Sequence, residues 1–271
     1  MRRRESRQGA LQLRLVSAAV GIPLIILLIW AGERWFAGVV AAVLFIAALE
    51  FQTARGGRLR LPALLSAVFA ASFAVAAHGR GEWLIWAVTG LVLLPLLWVT
   101  IIETTEDALP DWLWAVGGAL YLGWLGCHLV LLRDIANGRD WLYLVVFSTF
   151  ATDTAAYFVG RAIGRRRLAP AISPGKTVEG AIGGLVFGFI AVLLLNYLLG
   201  IRIKPELIIP LALLLPIAAQ LGDLIESKLK RSMQVKDASH LIPGHGGLMD
   251  RLDSILLTTV VVYYYVTWLI L

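Results

Sequence analysis

Residues 83–102 read WLIWAVTGLVLLPLLWVTII, and this stretch decides the fold class. It holds twenty consecutive residues without an Asp, Glu, Lys or Arg. A helix of about 20 apolar residues crosses the hydrocarbon core of a bilayer, which is about 30 Å thick. The sequence therefore predicts a membrane-spanning helix at this position.

The composition of the whole chain extends this prediction to the entire protein. Of the 271 residues, 59% are hydrophobic and 15% are charged, and the mean hydropathy is +0.80. Soluble domains have about 45–50% apolar and about 25% charged residues, so this composition argues against a water-soluble globular domain. Cys127 is the single cysteine, which excludes an intrachain disulfide and a cysteine-rich metal cluster.

Further apolar runs, bounded by charged residues, Gly or Pro, predict an all-α polytopic membrane protein with about nine transmembrane helices. The first run follows basic residues and is similar to a signal peptide. Its length and the lack of a small-x-small cleavage site favour an uncleaved anchor. The approximate spans are 13–31, 35–50, 61–77, 83–102, 112–132, 141–159, 177–199, 205–225 and 254–271.

The distribution of basic residues predicts the orientation. With the N-terminus in the cytoplasm and connections on alternating sides, 18 of the 24 Lys and Arg residues face the cytoplasm and 6 face outward. Cytoplasmic loops of membrane proteins are enriched in Lys and Arg, so this asymmetry predicts a cytoplasmic N-terminus and an outward C-terminus. The net charge of +6 suits either anionic lipid headgroups or phosphate-bearing substrates.

The chemistry-bearing residues are unevenly distributed along the chain. Residues 1–140 read as an N-terminal set of transmembrane helices with short connections. Residues 141–271 combine transmembrane helices with two loops rich in ionisable residues, Gly and Pro. Both loops fall on the cytoplasmic side of the predicted topology, which favours a site open to a cytosolic substrate.

The second of these loops begins where the eighth span ends. If its helix continues past Asp223, then Asp223, Ser227 and Lys230 share one helical face. A carboxylate at the edge of hydrocarbon is costly without a cationic or metal partner, which favours a functional role for Asp223. Lys228, Lys230 and Arg231 are also typical of a solvated membrane exit, and that alternative stays open.

A turn-forming run and two carboxylates follow in the same loop. Gly246 and Gly247 allow the backbone to approach a ligand and to point N–H groups at an anion. Asp250 and Asp253 lie at the start of the last span, and carboxylates without nearby Cys favour an oxygen-ligated ion such as Mg²⁺. Two histidines of this loop, five residues apart, argue weakly for zinc because no third nitrogen or sulfur ligand accompanies them.

The first loop places Asp153 inside an apolar span and follows it with four arginines. The Gly-Lys-Thr run at 175–177 is similar to the end of a P-loop but lacks the upstream glycine and the preceding strand. Ser173 could instead cap the next helix, which would leave Lys176 at an anion-attracting helix N-terminus. The carboxylates Asp153 and Glu179 flank this cationic segment and favour function over simple capping.

Residues 227–253 read SKLKRSMQVKDASHLIPGHGGLMDRLD, and this stretch resembles the signature of phosphatidate cytidylyltransferases, also called CDP-diacylglycerol synthases. The patterns D-x3-Y-x2-G at 153–160 and S-P-x-K-T-x-E-G at 173–180 resemble a second block of that family. The resemblance is clear over residues 140–271, whereas the first half of the chain matches only as generic spans.

The resemblance implies a reaction in which CTP and phosphatidic acid give CDP-diacylglycerol and pyrophosphate. It also implies Mg²⁺, with a second cation left open, a homodimer, membrane lipid but no nucleic acid as partner, and a bacterial inner-membrane protein whose active site faces the cytoplasm. The metal ligands that it implies are Asp223 and Asp250.

The same reading assigns the remaining site residues. The predicted catalytic residues are Asp223, Asp250, Lys230, Arg231, Lys236, Asp237, His245 and Arg251. The predicted substrate-binding residues are Asp153, Ser173, Lys176, Thr177, Glu179, Ser227, Gly246, Gly247 and Asp253.

Two other functions compete with this reading. A CTP-dependent lipid-alcohol kinase shares some motifs, but the full signature argues against it. A transporter could relay ions through Asp153 and Asp223, yet transport requires ionisable groups with access from both faces. The informative groups here collect at one predicted face.

Overall fold

The computed structural model describes residues 19–56, 61–78, 83–102, 105–239, 241 and 246–271. These residues form a polytopic, almost wholly helical membrane protein, as the composition predicts. The helices are α1 (Ala19–Ala31), α2 (Glu33–Gly56), α3 (Leu61–His78), α4 (Leu84–Ile102), α5 (Thr105–Ala119), α6 (Leu125–Asp134), α7 (Gly138–Ile163), α8 (Val178–Leu198), α9 (Pro205–Ser232) and α10 (Asp253–Leu269). A π-helical segment, Leu120–Trp124, joins α5 to α6 without a break.

The predicted spans coincide with helices wherever the structure describes them. Seven helical stretches are long and apolar enough to cross a membrane, whereas Ala19–Ala31 and Asp253–Leu269 are shorter. Residues 13–18 of the first predicted span lie outside the described residues, as does most of the basic segment behind the prediction of an uncleaved anchor. The number of crossings and the orientation of the N-terminus stay predictions.

The helix of the eighth predicted span continues past the apolar run. The apolar run ends near residue 225, but α9 continues to Ser232. Its last two turns consist of Leu, Lys, Arg, Glu and Ser, which include several good helix formers, and Lys230 and Arg231 favour the negative C-terminal end of the helix dipole. Hydropathy marks where a helix leaves the hydrocarbon, whereas helix propensity sets where it stops.

The chain divides into two compact units. Unit 1 comprises Met1–Gly123 and Asp237–Arg251, and unit 2 comprises Trp124–Lys236 and Leu252–Leu271. The predicted boundary at residue 140 stays a prediction.

Within unit 1, α2 packs against α3 and α5. Phe51 stacks on Trp114 with ring centroids 4.7 Å apart. The amide nitrogen of Gln52 donates to the Trp114 carbonyl oxygen over 3.2 Å. Polar side chains on lipid-spanning helices are stable when they bond across to a neighbouring helix, so these contacts fix the C-terminal turns of α2.

Within unit 2, α7 packs against α8, α9 and α10. The Tyr265 hydroxyl on α10 donates to the Leu207 carbonyl oxygen at the start of α9 over 2.7 Å. Buried hydroxyls such as those of Thr152 and Thr258 donate back to carbonyl oxygens one turn earlier, which satisfies them inside an apolar core. These buried hydroxyls are therefore satisfied within their own helices.

A β-hairpin joins α7 to α8, and the sequence did not predict it. The antiparallel strands are β1 (Arg167–Ala169) and β2 (Ser173–Thr177), with Arg167 opposite Thr177 and Ala169 opposite Ser173. The expectation that Ser173 caps the next helix is wrong, because Ser173 lies at the start of β2. Thr177 is the cap instead, since its hydroxyl accepts a hydrogen bond from the Gly180 nitrogen over 3.1 Å.

Candidate active site

A cavity of about 650 Å³ opens in unit 2 between α7, the hairpin, α8 and α9. It is bordered by the carboxylates of Asp153 and Asp223 and by the cationic side chains of Arg161, Arg167 and Lys176. Mostly apolar and small residues form the rest of the wall. The further lining residues are Ala156, Tyr157, Gly160, Gly164, Leu168, Gly175, Thr177, Gly180, Ala181 and Gln220.

Lys176 and Asp223 form the polar centre of this cavity. The Lys176 ammonium nitrogen lies 2.7 Å from Asp223 Oδ2, and the Ser227 hydroxyl donates to Asp223 Oδ1 over 3.4 Å. The expectation that Asp223 and Ser227 share one face of a continuous helix is confirmed. The hairpin thus brings the Lys176 ammonium next to the Asp223 carboxylate of α9. This cationic partner lowers the cost of a charge near an apolar segment.

A second feature beside Asp223 is a cluster of three carboxylates. One oxygen each of Asp223, Glu226 and Asp253 lies within 4.8 Å of the others. Glu226 is 1% exposed, and its Oε2 lies 2.7 Å from the ammonium nitrogen of Lys230, one turn further along α9. Such a set of oxygen donors is the kind that hard divalent cations prefer.

Glu179 lies in the first turn of α8 and organises the arginine segment before β1. Its carboxylate accepts hydrogen bonds from the backbone nitrogen of Arg165 over 3.0 Å and from that of Arg166 over 3.2 Å. The residue was predicted to bind substrate. In the structure it holds the backbone of the segment that carries Arg167 into the cavity wall.

Arg231 connects the end of α9 to the hairpin. Its Nε donates to the Ile172 carbonyl oxygen over 3.1 Å, and its Nη1 donates to that of Val235 over 3.3 Å. Both acceptors are backbone groups, so Arg231 fixes the hairpin turn against the C-terminal end of α9. Lys236 lies just beyond, in exposed backbone after that helix.

The remaining predicted residues of the signature belong to unit 1. Asp250 is 5% exposed, and its Oδ2 accepts hydrogen bonds from the backbone nitrogens of Ala238 over 3.1 Å and Gly247 over 2.8 Å. The Gly247 N–H thus donates to a carboxylate of the same loop, and binding of a substrate anion by this run stays a prediction. Asp237 and Arg251 are exposed, and His245 lies outside the described residues together with most of the turn before Gly246.

Gly246 has a reason to be glycine in this loop. Its φ is +81°, a conformation that other residues rarely adopt. A Cβ placed on it would lie 2.7 Å from Asp250 Oδ2. The missing side chain therefore lets the Asp250 carboxylate approach the backbone.

Several residues around these features were not predicted. Arg161 and Arg167 belong to a basic run of the sequence, and both line the cavity. Gln220 is an amide inside an apolar span, and in the structure its side chain donates to the Ala181 carbonyl oxygen over 3.2 Å. Glu50 gives the same kind of signal, a carboxylate at the end of the apolar run of α2. A polar side chain in a membrane helix predicts a functional or structural partner, and that rule would have found both Gln220 and Glu50.

The fold and the cavity together define a polytopic membrane protein whose polar site is suited to phosphate chemistry. The model of the cytidylyltransferase family matches residues 12–269, so the chain belongs to that family. The resemblance found in the sequence is thereby confirmed, and neither the kinase nor the transporter alternative is favoured.

Individual relatives carry a more specific name. The phosphatidate cytidylyltransferase of Bacillus subtilis is 37% identical over 147 residues, which are 54% of this chain and 55% of that protein. That of Staphylococcus saprophyticus is 35% identical over 59% of this chain and 60% of its own length. That of Staphylococcus epidermidis is 31% identical over 72% of this chain and 75% of its own length. The chain thus spans little more than half the length of the first two relatives.

Proposed function

We propose that this protein transfers the cytidylyl group of CTP to phosphatidic acid and so produces CDP-diacylglycerol and pyrophosphate. The observation that carries the proposal is the cavity of unit 2, where Lys176 pairs with Asp223 in a chain of the cytidylyltransferase family. The names of the relatives point to the same reaction.

The charges of the cavity suit a reaction between two polyanions. A phosphate oxygen of phosphatidate attacks the α-phosphorus of CTP, and the bond from that phosphorus to the oxygen bridging to the β-phosphate breaks. Catalysis of such a transfer is mostly positioning and charge neutralisation. Arg161, Arg167 and Lys176 supply positive charge at the cavity wall, and the phosphatidate monoester, ionised near pH 7, needs no dedicated general base.

We further propose that Mg²⁺ is the metal of this reaction. The donor set fits it, because the cluster of Asp223, Glu226 and Asp253 offers carboxylate oxygens, which Mg²⁺ prefers as ligands. Asp223 and Asp250 are the proposed ligands, and Glu226 and Asp253 extend the set near Asp223. Bound Mg²⁺ would neutralise phosphate oxygens and stabilise the charge that develops on pyrophosphate.

The remaining partner and location proposals follow from the family resemblance and the basic asymmetry. We propose a homodimer in the bacterial inner membrane, with the cavity open to the cytoplasm. The contact of Arg231 with Ile172 supports one part of this, since it puts the hairpin and the C-terminal end of α9 at the same end of unit 2.

The reaction is tested with CTP labelled at either the α- or the γ-phosphate. Purified protein, phosphatidic acid and Mg²⁺ are expected to move the α-label into chloroform-soluble lipid and the γ-label into pyrophosphate. In a parallel reaction with a lipid alcohol in place of phosphatidic acid, a lipid-alcohol kinase would transfer the γ-label to the alcohol and release CDP. Absence of α-label from lipid over a range of Mg²⁺ concentrations would refute the proposed function.

Sidedness is tested with single cysteines in a Cys127→Ala background, all within unit 2. Ala171→Cys in the hairpin turn and Ser232→Cys at the end of α9 are expected to resist a membrane-impermeant thiol reagent in intact cells, and to react once the membrane is opened. Ala136→Cys, in the exposed connection between α6 and α7, is the matched control and is expected to react in intact cells. The reverse pattern would invert the topology, and a split between positions 171 and 232 would refute a shared cytoplasmic face.

A further inference from the structure

Glu50 is a buried carboxylate in a part of the chain that otherwise reads as generic membrane helix. It lies in α2, follows the apolar run VVAAVLFIAAL, and is 6% exposed. A carboxylate at such a position is costly unless strong hydrogen bonds compensate it. Its partners therefore indicate why the residue is there.

All of the hydrogen bonds that the described residues donate to the Glu50 carboxylate come from Asp237–Arg251, the loop of unit 1 that carries part of the signature. Oε1 accepts from the Ser239 hydroxyl over 2.6 Å and from the Leu248 nitrogen over 3.1 Å. Oε2 accepts from the Met249 nitrogen over 2.8 Å. The Ser239 hydroxyl in turn accepts from the Leu241 nitrogen over 3.1 Å, which extends the network along the loop.

Gly247 makes the close approach of this carboxylate possible. A Cβ placed on Gly247 would lie 2.6 Å from Glu50 Oε2 and 2.9 Å from Oε1. A side chain at position 247 would therefore displace either the Glu50 carboxylate or the loop. The close contact with the Glu50 carboxylate therefore explains why position 247 is a glycine.

The helix that carries Glu50 is itself held firmly. The two residues that follow it contact α5, Phe51 by stacking on Trp114 and Gln52 by a hydrogen bond to the carbonyl oxygen of the same residue. Glu50 therefore offers the loop an acceptor at a fixed place. Leu248 and Met249, which it binds, immediately precede Asp250 and Arg251.

We infer that Glu50 is a positioning residue for the proposed cytidylyl transfer, because it fixes the backbone of the loop that carries Asp250 and Arg251. The inference rests on the proposed function. The Glu50 carboxylate acts on the loop through the two backbone N–H groups and the Ser239 hydroxyl that it binds. Hydrogen bonds to an ionised group are stronger than neutral ones, so a single side chain can hold a glycine-containing loop.

Two measurements separate this role from a general contribution to folding. The first is hydrogen exchange of the Leu248 and Met249 amides, followed by mass spectrometry of the purified protein in detergent. The second is steady-state kinetics with CTP and phosphatidic acid. The variants are Glu50→Ala, Glu50→Gln, which keeps one carbonyl acceptor, and Glu50→Asp. The matched control is Trp112→Phe, which removes the hydrogen bond from Trp112 Nε1 to the Val92 carbonyl oxygen in the same unit without touching α2 or the loop.

We expect Glu50→Ala to exchange both amides at least about tenfold faster and to lower kcat about 10- to 100-fold, with smaller changes in KM. Glu50→Gln should lie between Glu50→Ala and the unmodified protein, and Glu50→Asp should recover part of the activity. Trp112→Phe should lower the Tm while the exchange of both amides and kcat stay within about twofold.

Unchanged exchange in Glu50→Ala would refute the anchor, and faster exchange with an unchanged kcat would refute its importance for the reaction. Parallel losses in Trp112→Phe would show a folding effect instead. If Glu50→Ala does not fold, Glu50→Gln decides between these outcomes. Failure of the unmodified protein to transfer the α-label would refute the proposed function, and with it the positioning role, whereas the exchange data would still report whether the anchor exists.

Discussion

Replacing Asp223 with asparagine is expected to lower kcat by about three orders of magnitude, which corresponds to about 4 kcal/mol of transition-state stabilisation. The substitution keeps the size of the side chain and removes its charge. Turnover measured over a wide range of Mg²⁺ concentrations, with CTP and phosphatidic acid saturating, is the direct readout.

The size of this effect follows from the surroundings of Asp223. Its carboxylate contacts the Lys176 ammonium and the Ser227 hydroxyl, and it belongs to the cluster with Glu226 and Asp253. Loss of its charge removes one proposed metal ligand and also the partner that orients Lys176 in the cavity. Both changes act where negative charge develops during phosphoryl chemistry.

The fold should survive this substitution. The side chains of Lys176 and Asp223 are 24% and 30% exposed, and ion pairs of this exposure contribute about 0–1 kcal/mol to stability. The Tm in detergent should therefore change by only a few degrees. Glu206→Gln, which alters an exposed carboxylate in the first turn of the same helix, is the control and should keep full activity. Near-normal turnover in Asp223→Asn would remove Asp223 from the metal site.

Replacing Asp250 with asparagine is expected to abolish turnover to a similar extent while the loop stays in place. Asn keeps one carbonyl oxygen that can accept from the backbone nitrogens of Ala238 and Gly247, as Asp250 Oδ2 does. It lacks the negative charge that we propose for metal binding. The measurement pairs kcat with hydrogen exchange of the Gly247 amide.

Asp250→Ala separates the two roles of this carboxylate. It loses both the charge and the acceptor, so it should lose turnover and also exchange the Gly247 amide about tenfold faster. Substantial turnover in Asp250→Asn with a protected Gly247 amide would show that Asp250 only holds the loop. Equal and large losses of Tm in both variants would show a folding role instead.

The sequence predicted the helices well because their signal is local. An apolar run of about 20 residues has few stable conformations in lipid other than a helix, since its backbone hydrogen bonds must close within the segment. The contact between Asp223 and Ser227 could be predicted on the same basis, because it depends only on helical spacing. Helical spacing alone did not identify the partner of Lys230, because Asp223 and Glu226 both precede it on the same helix. In the structure its ammonium pairs with Glu226.

The hairpin and Glu50 could not be predicted in the same way. Strands of three and five residues that contain Pro and Gly carry almost no alternating pattern, so the hairpin became visible only through its pairing. The hydrogen bonds of Glu50 span 189 to 199 residues of sequence, far beyond any periodicity. Its buried charge was a signal that a partner exists, but only the folded chain identifies that partner.

The span of 199 residues between Glu50 and Met249 also orders events during synthesis of the chain. Chains emerge from the ribosome N-terminus first, so α2 enters the membrane long before the loop that neutralises its carboxylate has been made. Unit 1 is discontinuous in sequence and is completed only after Asp237–Arg251 has been translated. Glu50 therefore lacks these three hydrogen-bond donors through most of translation, and the loop can close on α2 only after Asp237–Arg251 has left the ribosome.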